Sequence, residues 1–174
     1  MRVSPDFNRI NASANVLSLM NGSIPSNRLH IALFSGAIPT DDRLITLVTS
    51  AATVPWGSSP ISEWATASNF LADLNVQAVV SVTDIETMTW TVPLSTQSGQ
   101  FIVGQAGTPT WFMARYTNST SGNNAFGDFC GGGSAQVVIV GSVGDENSNA
   151  ELKIFGGTVA LNNPVRAADL CIKF

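Results

Sequence analysis

Short apolar runs punctuated by clusters of Gly, Pro, Asn and Ser recur along most of this chain, a rhythm that predicts strands separated by turns. Leu29-His30-Ile31-Ala32-Leu33-Phe34 is the first such run, followed by the breaker Ser35-Gly36-Ala37-Ile38-Pro39 and by a second run over 44–49. Further strands are expected over 76–82 and 88–92, where β-branched and aromatic residues concentrate, and over Thr110–Thr117. The last third supplies runs at 136–143, 150–155, 158–161 and 168–174. Two stretches read differently. Ile10, Ala14, Leu17 and Met20 fall near helical spacing before Asn21-Gly22, which predicts a short N-terminal helix over about 8–20. Trp64, Ala67, Leu71 and Leu74 repeat the spacing after Ser59-Pro60, predicting a helix over about 61–73 within an inserted excursion of about 50–75. The Asn-, Ser- and Gly-rich run 118–133 reads as a long loop. Together these elements predict a mainly β fold: one domain over 1–174, an antiparallel β-sandwich, jelly-roll-like or immunoglobulin-like, with two helices added.

Composition narrows the partners. At 174 residues the chain is long enough to bury a core without disulfides or metals. Hydrophobic residues make up 44% of it and charged residues only 11%, with Lys and Arg scattered singly and a net charge of -4. A surface with no basic stripe predicts neither nucleic-acid binding nor attraction to an anionic membrane. No apolar run is long enough for a membrane span, and the polar N-terminal residues do not resemble a secretory signal, so the expected site of synthesis and folding is the cytoplasm. Cys130 and Cys171 are then expected as free thiols, and the sequons at Asn11, Asn21 and Asn118 as chance matches.

Candidate chemistry is thin. His30 is the sole histidine, which excludes a multi-His zinc site, and although Ser35 lies near it in sequence no G-x-S-x-G turn accompanies them. Cys130 or Cys171 as a nucleophile would have only that histidine as base. Glu63, Asp84, Glu86, Asp128, Asp145, Glu146 and Glu151 could supply a glycosidase pair only if two of them met in a cleft. Asp145-Glu146-Asn147-Ser148-Asn149 starts like a calcium loop, but Ala150 stands where its glycine belongs and Gly156 where its bidentate Glu belongs, leaving a plain hairpin turn as the expectation. Gly131-Gly132-Gly133 and Gly141-Ser142-Val143-Gly144 carry no lysine and open no predicted helix, so nucleotide binding lacks support. Trp90, Trp111, Phe112 and Tyr116 offer either core filling between sheets or a sugar-stacking platform. No catalytic, cofactor-binding or metal-binding residue is predicted.

Several of these segments resemble small β-sandwich proteins of tailed-bacteriophage virions. Leu29–Pro39 is similar to a strand of the form L-R-I-Y-S-G-x-x-P in that family, Leu44–Val48 to L-L-A-x-L, and Gly107–Ala114 to G-T-A-x-W-F-R. Gly141-Ser142-Val143-Gly144 with Ala150-Glu151-Leu152 resembles its G-S-V-G turn and A-E-L strand, and the run 168–174 fits its last strand. The chain departs from that pattern in its longer excursion 50–85 and its Gly-rich run 118–133. The resemblance implies a non-enzymatic virion subunit, a head decoration or cement protein or a collar or tail component, contacting capsid or tail proteins and forming a homo-oligomer or symmetric array. It transfers no active site. The other expectation carried forward is a carbohydrate-binding host-attachment module that uses exposed aromatics.

Overall fold

The computed structural model describes residues 28–40, 63–76, 82–84, 89–94, 101–117 and 138–173. They form β1 (Arg28–Phe34), β2 (Phe70–Val76), β3 (Val82–Asp84), β4 (Thr89–Val92), β5 (Ile102–Val103), β6 (Trp111–Thr117), β7 (Val138–Gly144), β8 (Leu152–Ile154) and β9 (Ala167–Lys173). All nine belong to one sheet, ordered β3-β4-β9-β8-β7-β6-β1-β2-β5. The sheet curls on itself. Past its β5 end, Phe101 bridges to Val165 and Gly107 to Val159, so the connection between β8 and β9 is tied to the far edge.

A single core cluster fills the inside of the curl. Ile31 and Leu33 of β1, Phe112 and Ala114 of β6, and Leu74 of β2 meet Leu152, Ile154, Ala167 and Leu170 of β8 and β9 there, with Val92 of β4. Alternation along β1 and β6 sends the intervening residues to the opposite face. That face is buried too: Ala32, Phe34, Trp111 and Met113 are all inaccessible to solvent. The aromatic residues there form a second, smaller cluster, in which Phe34 stacks on Trp111 with ring centroids 4.3 Å apart and meets Phe70 edge-on at 5.8 Å. Trp64 adds a tilted contact to Trp111 at 6.0 Å. Trp111 is therefore core, as the sequence suggests, but on the face away from the main cluster.

The segment 63–69 straps over this aromatic cluster. Asn69 fastens it: its Nδ2 donates to the Trp64 carbonyl at 2.8 Å and its Oδ1 accepts from the Thr66 amide at 2.9 Å. The Ser35 amide donates to the Asn69 carbonyl at 2.9 Å, and Gln105 Nε2 donates to the Ala67 carbonyl at 2.7 Å.

One expectation changes here. The helix over 61–73 is not formed: residues 63–69 make turns and 70–76 are strand β2, antiparallel to β1. The register slips between Leu33, opposite Ala72, and Phe34, opposite Phe70, so Leu71 is the extra residue of a bulge. Its carbonyl accepts the amides of both Gly104 and Gln105, at 2.8 and 3.0 Å. The bulge lets Leu71 and Ala72 both join the main core while Phe70 joins the aromatic cluster. A strand buried on two faces and broken by a bulge has apolar residues at offsets of one, two and three, and that mixture mimics helical spacing. The expected helix over 8–20 and strand over 44–49 lie outside the described residues.

The sheet is also mixed and not purely antiparallel. β7 and β8 pair in parallel, Val143 opposite Leu152 and Gly144 opposite Lys153, although parallel neighbours usually need a longer crossover. The turn at Asp145–Ser148 carries the chain back beside β7, where the Ser142 amide donates to Glu151 Oε2 at 2.8 Å, before β8 sets off forward. Gly144 makes room for this loop, since a Cβ there would lie 2.7 Å from Ser148 Cβ and 3.1 Å from Ala150 Cβ. The expected strand over 158–161 reduces to the single bridge at Val159.

Trp111→Ala should lower the unfolding free energy by about 3–5 kcal/mol in urea denaturation, the usual cost of emptying a fully buried aromatic site. Gly141→Ala should cost about 1–3 kcal/mol by overpacking, because its Cβ would come within 2.7 Å of the Phe112 ring, which lies across from it in the β6–β7 pairing. Unchanged midpoints would contradict this packing.

Candidate functional site

Each half-buried or buried ionisable group was a candidate for chemistry, and the strands decide what each can reach. His30 lies on β1 and Asp73 on β2, on the aromatic face, because Ala32 and not His30 stands directly opposite Asp73 and the two side chains meet diagonally. His30 Nε2 donates to Asp73 Oδ2 at 2.7 Å, and both side chains are 0% exposed. A histidine and a carboxylate in contact invite comparison with a hydrolytic triad. The geometry excludes Ser35 as their nucleophile: five residues of extended chain put it roughly 16 Å away, beyond the end of β1, where its Oγ lies 3.5 Å from the Asn69 carbonyl. Full burial also denies the pair a substrate. Its chemistry is cohesive, since the hydrogen bond lets two ionisable side chains enter an otherwise apolar layer.

Asp73 is the residue that reading the sequence overlooked, since it falls within the expected helix over 61–73 and was not among the candidate carboxylates. A usable signal was present. Leu29-His30-Ile31-Ala32-Leu33-Phe34 and Phe70-Leu71-Ala72-Asp73-Leu74 each hold one ionisable residue inside an apolar run, and such residues are expected to find one another.

The other candidate carboxylates are spread out. Glu63 is exposed on the strap, while Glu86, Asp128 and the Asp84 side chain lie outside the described residues. Asp145 Oδ1 accepts from the Asn147 amide at 3.0 Å, and Ser148 donates from Oγ to the Asp145 carbonyl at 2.7 Å, so this stretch is an Asx-type turn. It is not the expected hairpin, because β8 leaves parallel to β7. Glu146 Oε2 accepts from the Gly156 amide at 3.0 Å, and that hydrogen bond to the charged form holds its pKa below the usual carboxylate range. Among the described residues no three His, Cys, Asp or Glu side chains converge as metal ligands would.

One open groove, of about 330 Å3, does gather polar side chains, on the outer face of β4, β9 and β8. Thr91, Glu151, Lys153, Asp169 and Cys171 line it, with Asn149 and Ala150 at its rim. Cys171 is a free thiol there, approached by Thr91 Oγ1 at 3.8 Å. Cys130 lies outside the described residues. His30, the histidine weighed as a base for Cys171, is held in the other half of the sheet by Asp73. Glu151 turns its carboxylate to the Ser142 amide and hydroxyl, and Asp169 is a carboxylate that the sequence did not single out.

The proposed aromatic platform is dismantled in part. Trp111 and Phe112 are consecutive on β6, face opposite ways and are both fully buried, so they cannot share a sugar. The side chains of Trp90 and Tyr116 lie outside the described residues.

Asp73→Ala should cost about 3–5 kcal/mol in chemical denaturation, because it removes the carboxylate to which the buried imidazole donates, whereas replacing both partners with apolar residues should cost less than the two single changes together. Additive costs would mean that the pair is not coupled. For Glu146, whose folded-state pKa lies below its unfolded value, the stabilisation is present above the unfolded value and is lost as pH falls through the folded one. Glu146→Gln should therefore flatten the acid limb of the melting temperature against pH, and superimposable curves would show that the contact contributes nothing.

No protein-family model, no curated protein and no solved structure matches this chain.

Proposed function

We propose that this protein is a non-enzymatic structural subunit of a tailed-phage particle, present in many copies and docked on neighbouring capsid or tail proteins. The observation that carries the reading is how the described ionisable groups are used. His30 and Asp73 hold β1 to β2, Glu151 holds β7 beside β8, and Asp145 and Glu146 brace turns. These groups serve architecture, while large apolar side chains at Ile38, Ile102, Phe155 and Leu161 stand between 43% and 54% exposed. A body braced from within that offers apolar side chains outside is suited to contacts with other proteins.

On this reading the curled sheet acts as a two-layer sandwich. One layer is β5-β2-β1-β6-β7 and the other is β7-β8-β9-β4-β3, with β7 passing from the first to the second and the main core between them. Such a body is stiff, and weak contacts made by each copy become strong in a symmetric array through avidity. The similarity of its strands to those of virion β-sandwich proteins supports the same conclusion, as does a surface low in charge.

The test is to purify particles of a phage that encodes the chain, identify their proteins by mass spectrometry and locate the subunit by cryo-electron microscopy. Density for this fold in symmetric copies on the head, collar or tail is the expected result. Its absence from mature particles would overturn the proposal and move attention to glycan binding.

A further inference from the structure

We infer that the outer surface around Phe155 is a two-fold self-association surface, whose occupant is a second copy of this chain. Two exposed apolar side chains lie beside the segment that leads into β9. Phe155 is 50% exposed and Ile102 43%. Their proximity follows from the backbone: the Phe155 amide donates to the Arg166 carbonyl at 3.0 Å, and the next residue along, Val165, bridges to Phe101. Phe101 and Val165 point into the core, so their neighbours Ile102, Pro164 and Arg166 point outward beside Phe155. Ile102 and Phe155 thus flank Pro164 and Arg166 on one outward face.

Charge identifies the occupant. Arg166 lies on the β9 side of Phe155, while Glu146, whose carboxylate accepts from the Gly156 amide, lies on the β7 side. Both are exposed. Phe155, with a base on one side and an acid on the other, is complementary to itself: rotation by two-fold symmetry about Phe155 sets Arg166 of one copy over Glu146 of the other, with Ile102 beyond Arg166 at the margin of the contact. An unrelated partner would have to reproduce that arrangement, whereas a second copy already carries it. The charges fix orientation and the apolar centre supplies affinity. The surface stands on these residues alone, whether or not the chain belongs to a particle.

Sedimentation equilibrium over a wide range of protein concentration tests the inference. The wild type should move reversibly from 18.3 kDa toward twice that mass. Phe155→Asp, which alters a half-exposed side chain and should leave the melting temperature nearly unchanged, should weaken association on the order of thirtyfold, as removal of a central aromatic anchor does. Arg166→Glu should weaken it less, and the double variant Glu146→Arg with Arg166→Glu should restore it. A wild type that stays monomeric throughout would overturn the inference. So would a Phe155→Asp variant that associates as well as the wild type, or a charge exchange that restores nothing.

Discussion

Burial of β1 on both faces is the constraint from which the rest of this structure follows. β1 lies between β2 and β6, with the main core against Ile31 and Leu33 and the aromatic cluster against Phe34. A strand in that position cannot show the usual alternation of apolar and polar residues, because it has no solvent-facing side. Its buried histidine, His30, needs a partner in the same layer, and the register of β2 delivers Asp73. The strap over 63–69 is the second requirement, since without it Phe34 and Trp111 would face water. The bulge at Leu71 is the third, because it lets β2 feed both layers at once.

Much of this was legible from sequence. The strands at 28–34, 89–92, 111–117, 138–144, 152–154 and 167–173 fall within a residue or two of the runs expected from β-branched and aromatic residues. What failed did so for physical reasons. β2 was mistaken for part of a helix because Phe70, Leu71, Ala72 and Leu74 serve two layers across a bulge. β5 was missed because Ile102-Val103 is too short to carry a period, and it is set by its partners on β2. The parallel pairing of β7 with β8 is a product of the Asp145–Ser148 turn and the space at Gly144, neither of which announces strand direction.

The candidate chemistry divides the same way. Composition marks His30 as the sole histidine and says nothing of its neighbours in space: a residue more than forty positions away closes its hydrogen bond. Residue type alone could not show that Trp111 and Phe112 face opposite ways, although their adjacency on one strand implies it. The polar groove over β4, β8 and β9 draws Thr91, Glu151, Lys153, Asp169 and Cys171 from three separate parts of the chain, and only the pairing of those strands brings them side by side.

The pairing of β1 with β6 has a consequence for how the chain is made. Phe34 sits opposite Trp111, so the central strand cannot acquire that neighbour until the chain between them has been synthesised. At ribosomal rates of about 5–20 residues per second that interval lasts roughly 4–15 s. Throughout it, β1 carries two apolar faces and at least one unsatisfied edge, the combination most prone to pairing with another nascent chain. Topologies dominated by such distant pairings also fold slowly once complete. High-level production of this protein therefore depends on how well the first strand is shielded while it waits for the sixth.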